Sequence, residues 1–456
     1  MREAVVTRCR WARLEDDGDG HLVRAAVAPA PVGTVDDPVV FPQRAGGLDW
    51  LLGPAAAESP SSSEAFQVTV FAPADLPPSG APLLVYLPGG GYVSGGPSVR
   101  WYDATELART TGAVVAIVGY RLGAAACFGA PGFGASGATS PLVEDVLAGV
   151  EWVIDHARHF GANPDDVTLA GHSAGAWLAF VAAQDPALAG RVRRLALYSL
   201  PFQPPPGAQG SLERRKILAE NLGDDDPSRA DAALLTTASA AVNKAWAGRG
   251  LGVQPLAGGR LRPDVQDWGA AVGRLRVEQV LLATTAHEAR GLIPPFASIS
   301  EAAADAFRAA HFDRPEDRPS DGTPWERLTD DMTEHQFASV SRELAGELRW
   351  AGIAVHVSRF DVPSPLAGAG SPHCFDVPFV FRNREQWWDA PMLSGMDSVF
   401  GSVAAAWGEP LVRALGGEKL QTAPGFVRAV GLEDGSVTAE EVPDEGSGSP
   451  LRVREP

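Results

Sequence analysis

An α/β fold with a central, mostly parallel sheet is the architecture this sequence predicts. Three observations carry that expectation. First, short apolar runs alternate with longer helical segments from residue 82 to residue 380. Second, the runs PLLVYLP (82–88), AVVAIVGY (113–120), VTLAG (167–171), RLALYSL (194–200), EQVLLATT (278–285) and IAVHVSRF (353–360) are continuously apolar or β-branched, as a strand buried on both faces requires. Third, helical pattern fills the gaps, most clearly over 140–160. There Ser140 suits the cap and Pro141 the first helical position, while Leu142, Val146, Val150, Val153 and Ile154 share one face. Gly161 and the Asn163-Pro164 pair should stop this helix. Strand–helix alternation of this kind gives a sheet covered on both sides.

Two segments break the rhythm. Residues 203–275 and 292–350 are helical or irregular, begin with proline clusters, and read as cap or pocket insertions above the sheet. Residues 1–80 read as a β-rich leader, with a Ser/Pro linker at 58–63. The polar, Gly/Ser-rich stretch 433–456 reads as a flexible end. The 456 residues thus divide into a single α/β domain over 1–432 and a tail.

A formal net charge of −18 disfavours nucleic acid and anionic membrane as partners. Cys9, Cys127 and Cys374 are too few and too widely spaced for a disulfide framework or a zinc motif. The N-terminal twenty residues lack an apolar core, and no run of eighteen apolar residues occurs. A soluble, cytoplasmic protein is expected, of unknown oligomeric state.

Gly171-His172-Ser173-Ala174-Gly175 matches G-x-S-x-G. With 50 glycines in the chain, roughly 0.3 such matches arise by chance, so context must decide. Here the motif directly follows VTLAG and precedes the apolar segment AGAWLAFVAAQ. That is the strand–turn–helix setting of a nucleophile elbow, and it marks the α/β-hydrolase fold. The turn strains Ser173, flanking glycines make room, and the helix N-terminus faces the developing negative charge. Upstream, Pro88-Gly89-Gly90-Gly91-Tyr92 follows another strand and offers backbone N–H groups opposite that of Ala174.

Members of a serine triad in this fold run in the order nucleophile, acid, base. His373, in Ser371-Pro372-His373-Cys374-Phe375-Asp376, lies on a loop after the last strand. His287, His311, His335 and His356 are less well placed, the last lying inside a strand. Glu288, just after EQVLLATT, and Asp361, just after IAVHVSRF, both qualify as the acid, with Asp264 a distant third. Such a carboxylate fixes the imidazole tautomer and stabilises the imidazolium.

Taken together, these blocks resemble the type-B carboxylesterase and cholinesterase family. VTVFAP, LPGGGYVSGGP, VGYRLG, FGANPDDVTLAGHSAGAW, the HEARG segment and SPHCFDVPFVF resemble its blocks in the correct order. The likeness spans roughly residues 40 to 410. It implies a triad of Ser173, Glu288 and His373, favouring Glu288 over Asp361, with oxyanion donors at Gly90, Gly91 and Ala174. The chain also departs from the family. His172 stands where an acid is usual, which makes choline esters poor substrates. Pro88 precedes the glycines, Phe66 stands where a family disulfide begins, and Ala289 replaces a glycine.

The implied chemistry is hydrolysis of a small-molecule carboxylic ester through an acyl-serine, needing neither cofactor nor metal. Pockets should be lined by the two insertions and by Trp387-Trp388. Two rivals share the scaffold: an acyl-transferring or cyclising tailoring enzyme, and an inactive binding protein. Loss of the nucleophile would mark the latter, whereas Ser173 is intact. His172 is expected to belong to the elbow and not to the proton relay. The base should titrate near the ordinary histidine value, about 6.5.

Overall fold

A computed structural model describes residues 4–16, 18, 22–29, 38–44, 46–129, 140–223, 225, 227, 230–311 and 322–444. The strands are β1 Ala4–Arg10, β2 Ala12–Asp16, β3 Leu22–Ala26, β4 Gln67–Pro73, β5 Ala81–Leu87, β6 Val114–Val118, β7 Ala162–His172, β8 Arg194–Tyr198, β9 Gln279–Thr285, β10 Ala354–Phe360, β11 Phe426–Glu433 and β12 Ser436–Pro443. Ten of them form one sheet in the order β1-β4-β6-β5-β7-β8-β9-β10-β11-β12, and β2 pairs with β3. From β6 to β11 every neighbouring pair is parallel, while β1, β4 and β12 join antiparallel at the edges. All six apolar runs of the sequence are strands of the parallel centre.

The continuous burial of β6, β8 and β9 follows from helices on both faces. One core contains Val85, Val118, Leu169 and Leu195 with Val146, Val150 and Phe180 from helices. The opposite core holds Leu84, Ile117, Ala196 and Leu281 with Phe379, Phe400 and Trp407. The helix Pro141–Asp155 begins at the expected proline. Ser140 does not cap it by side chain but donates its Oγ hydrogen to the Ala126 carbonyl at 3.0 Å. The Asn163-Pro164 pair lies within β7, which already begins at Ala162.

The leader contributes β1 to β4, as well as the short helices Asp49–Leu52 and Ala55–Glu58. The insertions carry the helices Ala208–Leu222, Ala232–Ala245 and Trp268–Arg274, then Glu301–His311, Pro324–Thr333 and Ser339–Trp350. The end of the chain differs from expectation. Residues 436–443 form β12, paired along its whole length with β11, so the sheet continues past residue 432. Residues 445–456 of the expected tail, and parts of the leader and of the second insertion, lie outside the described residues. No helix among the described residues is long and apolar enough to cross a membrane.

Candidate active site

Parallel strands direct their carboxyl ends to one edge, where open α/β sheets bind ligands. Ser173 follows β7 directly, Glu288 comes three residues after β9, and His373 lies on the loop after β10. The adjacency β7-β8-β9-β10 brings residues 200 and 85 positions apart into one chain of hydrogen bonds. Ser173 Oγ is 2.8 Å from His373 Nε2, and His373 Nδ1 is 2.5 Å from Glu288 Oε2. Glu288 Oε1 also accepts the Thr285 N–H at 2.8 Å. His373 and Glu288 are both buried.

The local backbone explains how the sequence holds this arrangement. Ser173 has φ 56° and ψ −123°, a conformation that side-chain-bearing residues adopt only under constraint. The constraint is tight packing. A Cβ on Gly171 would meet the Gly175 carbonyl oxygen at 2.3 Å, and one on Gly175 would meet the Leu87 oxygen at 2.0 Å. The helix Ala174–Ala183 starts at the next residue, so its first N–H groups face the serine. In the glycine loop, Gly90 and Gly91 take φ 127° and 57°, and a Cβ on Gly90 would stand 2.2 Å from the Ser94 oxygen. Tyr120 donates its hydroxyl to the Pro88 carbonyl, and the Tyr92 hydroxyl donates to Gln203 at 3.2 Å. The loop is thereby tied to the first insertion. The second insertion reaches the Glu288 loop and His373: Thr333 Oγ1 accepts the Ala289 N–H at 3.1 Å, and the Phe337 ring lies 5.2 Å from that of His373. Phe337 belongs to a π-helical turn, Glu334–Ala338.

The other candidates lie elsewhere. Asp361 is bound to Arg359 by two hydrogen bonds, at 2.7 and 2.8 Å. Asp264 pairs with Arg262 and Arg274 on the surface. His356 sits between Ser358 and Thr422, and burial pushes it down to about 4. His287 Nδ1 accepts the Ser371 N–H, His335 is buried within the π-helical turn, and His311 ends the helix Glu301–His311. The tryptophan pair does not act together. Trp387 is buried and stacked on Trp101, whereas Trp388 is 70% exposed beneath Arg100. A cavity of about 250 Å³ lies beside the glycine loop, lined among others by Val93, Ser94, Arg121, Leu235 and Ser239, but not by Ser173 or His373.

Three residues gain a place at the site that sequence reasoning did not assign. Ser199, forced to φ 50°, is buried near Glu288 and helps keep its carboxyl ionised. Cys374 (φ 70°) is half-buried beside His373. Asp376 is wholly buried behind His172. Their signal was only adjacency to His373 in SPHCFD, or to strand β8, and adjacency does not say which way a side chain turns.

Burial alone would raise Glu288 and depress His373. Instead the His373 ring, the Thr285 N–H and Ser199 hold the Glu288 carboxyl below its ordinary value. The Cys374 sulfur and Glu288 hold His373 well above 6.5. Burial would likewise raise Cys374, but His373 and His172 bring its thiol down to about 6. A base must be neutral to accept a proton. On the reading of His373 as base, its raised pKa means that activity is lost, as pH falls, at a pH above 6.5 and not at the ordinary histidine value. The measurement is kcat/KM against pH in chelated buffer. The Cys374→Gly variant should show its acid limb at lower pH, and a limb at or below 6.5 in the parent chain would contradict the electrostatic account.

Comparison with known proteins gives the family and the fold. Residues 46–233 match the model of the carboxylesterase family. A probable N-octanoylanthranilate hydrolase from Rhodococcus erythropolis is 31% identical over 370 residues, 78% of this chain and 76% of that protein. The chain belongs to the carboxylesterase family. It is a serine ester hydrolase by that membership. A phenmedipham hydrolase from Pseudarthrobacter oxydans is 28% identical over 69% of this chain and 66% of that protein. A solved PNB esterase superposes with a TM-score of 0.76, covering 96% of this chain and 94% of that one. At 19% identity this structural likeness establishes the α/β-hydrolase fold.

Proposed function

We propose that this chain hydrolyses small-molecule carboxylic esters with Ser173 as nucleophile, His373 as base and Glu288 as acid. The unbroken hydrogen-bond chain from Ser173 Oγ to Glu288 at the carboxyl edge of the sheet carries this reading. His373 Nε2 takes the serine proton as Oγ attacks the ester carbonyl. The N–H groups of Gly90, Gly91 and Ala174 hold the oxyanion, and His373 protonates the leaving alcohol. Water, deprotonated by the same imidazole, then releases the acid. Base, acid and oxyanion donors all come from the chain, so the cycle calls on no cofactor.

His172 lies outside the relay in this reading. Its nitrogens face Cys374 at 3.9 Å and Asp376 at 3.6 Å, not Ser173. We read the fold as one domain that runs through β12, with both insertions contributing to the substrate site. Three widely spaced cysteines support a cytoplasmic location. A panel of p-nitrophenyl esters of graded acyl length tests the activity. Turnover of at least one ester, absent in Ser173→Ala, is the expected result. No turnover across the panel by the folded protein would count against hydrolysis of simple esters.

A further inference from the structure

Three side chains with metal-binding chemistry meet beside the nucleophile, and ester hydrolysis calls on only one of them. One donor atom from each of His172, His373 and Cys374 lies within 4.8 Å of the other two. Cys374 Sγ stands 3.9 Å from His172 Nδ1. Donors on a tetrahedral ion, with metal–sulfur bonds of about 2.3 Å and metal–nitrogen bonds of about 2.0 Å, lie roughly 3.5 Å apart. Small side-chain rotations therefore bring sulfur and imidazole into place. Behind His172, the Asp376 carboxylate lies 3.6 Å from Nε2. It is wholly buried, and neither of its oxygens has a hydrogen-bond partner among the described residues. A buried carboxylate on the far side of an imidazole fixes the tautomer of a metal-binding histidine and raises its basicity. A thiolate with two imidazoles suits a soft or borderline cation and not magnesium or calcium, which prefer oxygen.

From this geometry we propose that His172, Cys374 and His373 form an inhibitory site for a soft divalent cation such as zinc. The inhibitory part rests on the reading of His373 as base. Both of its nitrogens are already engaged, Nε2 with Ser173 and Nδ1 with Glu288. Whichever one turns to the metal, a link of the relay is broken. Cys374 is half-buried and gives the site a side toward solvent, whereas Cys9 and Cys127 are buried. Occupancy here switches the hydrolase off, and chelation restores it.

The test titrates zinc chloride into the purified full chain during hydrolysis of p-nitrophenyl acetate. In parallel, cobalt(II) is added and the near-ultraviolet spectrum is read. Cys374→Gly removes the sulfur at a position whose φ of 70° suits glycine, and Cys374→Ser serves if that variant does not fold. Zinc should inhibit the parent chain at micromolar concentration, reversibly with EDTA. The half-inhibitory concentration should rise at least about tenfold in the variant. Cobalt should give a thiolate charge-transfer band in the parent chain only. Equal zinc sensitivity in parent and variant, absence of the cobalt band, or a band without inhibition would overturn the proposal. The spectrum needs no turnover, so a failure to hydrolyse esters would be told apart from a failure to bind metal.

Discussion

A phosphonofluoridate should add once to this protein, at Ser173, and Ser173→Ala should abolish both the adduct and ester turnover. The expectation follows from three features that no serine has by virtue of its chemistry alone. Ser173 Oγ is 2.8 Å from an imidazole nitrogen, which draws off its proton. Its φ of 56° holds the hydroxyl on the tip of a turn instead of folding it onto its own helix. The glycine loop packs against the elbow, where a Cβ on Gly89 would stand 2.7 Å from the His172 carbonyl oxygen, so in the proposed reading the charge on phosphorus-bound oxygen is met by N–H groups of that loop and of the helix start, as in acyl transfer. Intact mass should rise by one adduct, peptide mapping should place it between Gly171 and Gly175, and turnover should fall in proportion. Removing the nucleophile of such a unit costs on the order of 10⁶ in kcat. Mapping also separates Ser173 from the neighbouring Cys374 thiol. If the folded protein carries no adduct under conditions that label a control esterase, Ser173 is not an activated nucleophile.

The parallel centre of the sheet was legible because its strands are buried on both faces and so are written as unbroken apolar runs. The elbow was legible for a related reason: only glycine fits at 171 and 175, where a Cβ would run into backbone. β12 was not legible. SVTAEEVP is an edge strand, largely exposed and acidic, and its composition is that of a solvated tail. Only its pairing with β11 makes it a strand. Trp387 and Trp388 are adjacent in sequence, but one is stacked on Trp101 and the other faces solvent, because successive side chains in a short helical turn point in different directions. The contacts of Phe337 with His373 and of Thr333 with the Glu288 loop come from an insertion folding back over the sheet edge. No local pattern encodes where such an insertion lands. Glu288 against Asp361 is the same problem in miniature. Both follow a strand, on neighbouring strands β9 and β10, and the residues alone left the choice open.

That choice has a large kinetic consequence. Glu288→Gln should lower kcat by about 10⁴-fold, while Asp361→Asn should leave it nearly unchanged. Glu288 is fully buried, 2.5 Å from His373 Nδ1, with its second oxygen held by the Thr285 N–H. An amide keeps the shape but not the charge. It can present an N–H to Nδ1, which turns the imidazole to the tautomer that carries its proton on Nε2, where it cannot accept one from Ser173. It also leaves the imidazolium of the transition state without a counter-charge. The fold should survive, since no core packing changes. Asp361, by contrast, is a partly exposed partner of Arg359, and a pair of that kind contributes about 0–1 kcal/mol. Its backbone N–H bond to the Val430 carbonyl is retained by asparagine. Steady-state kinetics on one ester, with thermal unfolding of each variant as the control for folding, distinguishes the two. A damaged Asp361→Asn beside a tolerant Glu288→Gln would move the acid to the neighbouring strand, and the 2.5 Å contact would then be a structural bond and not part of the relay.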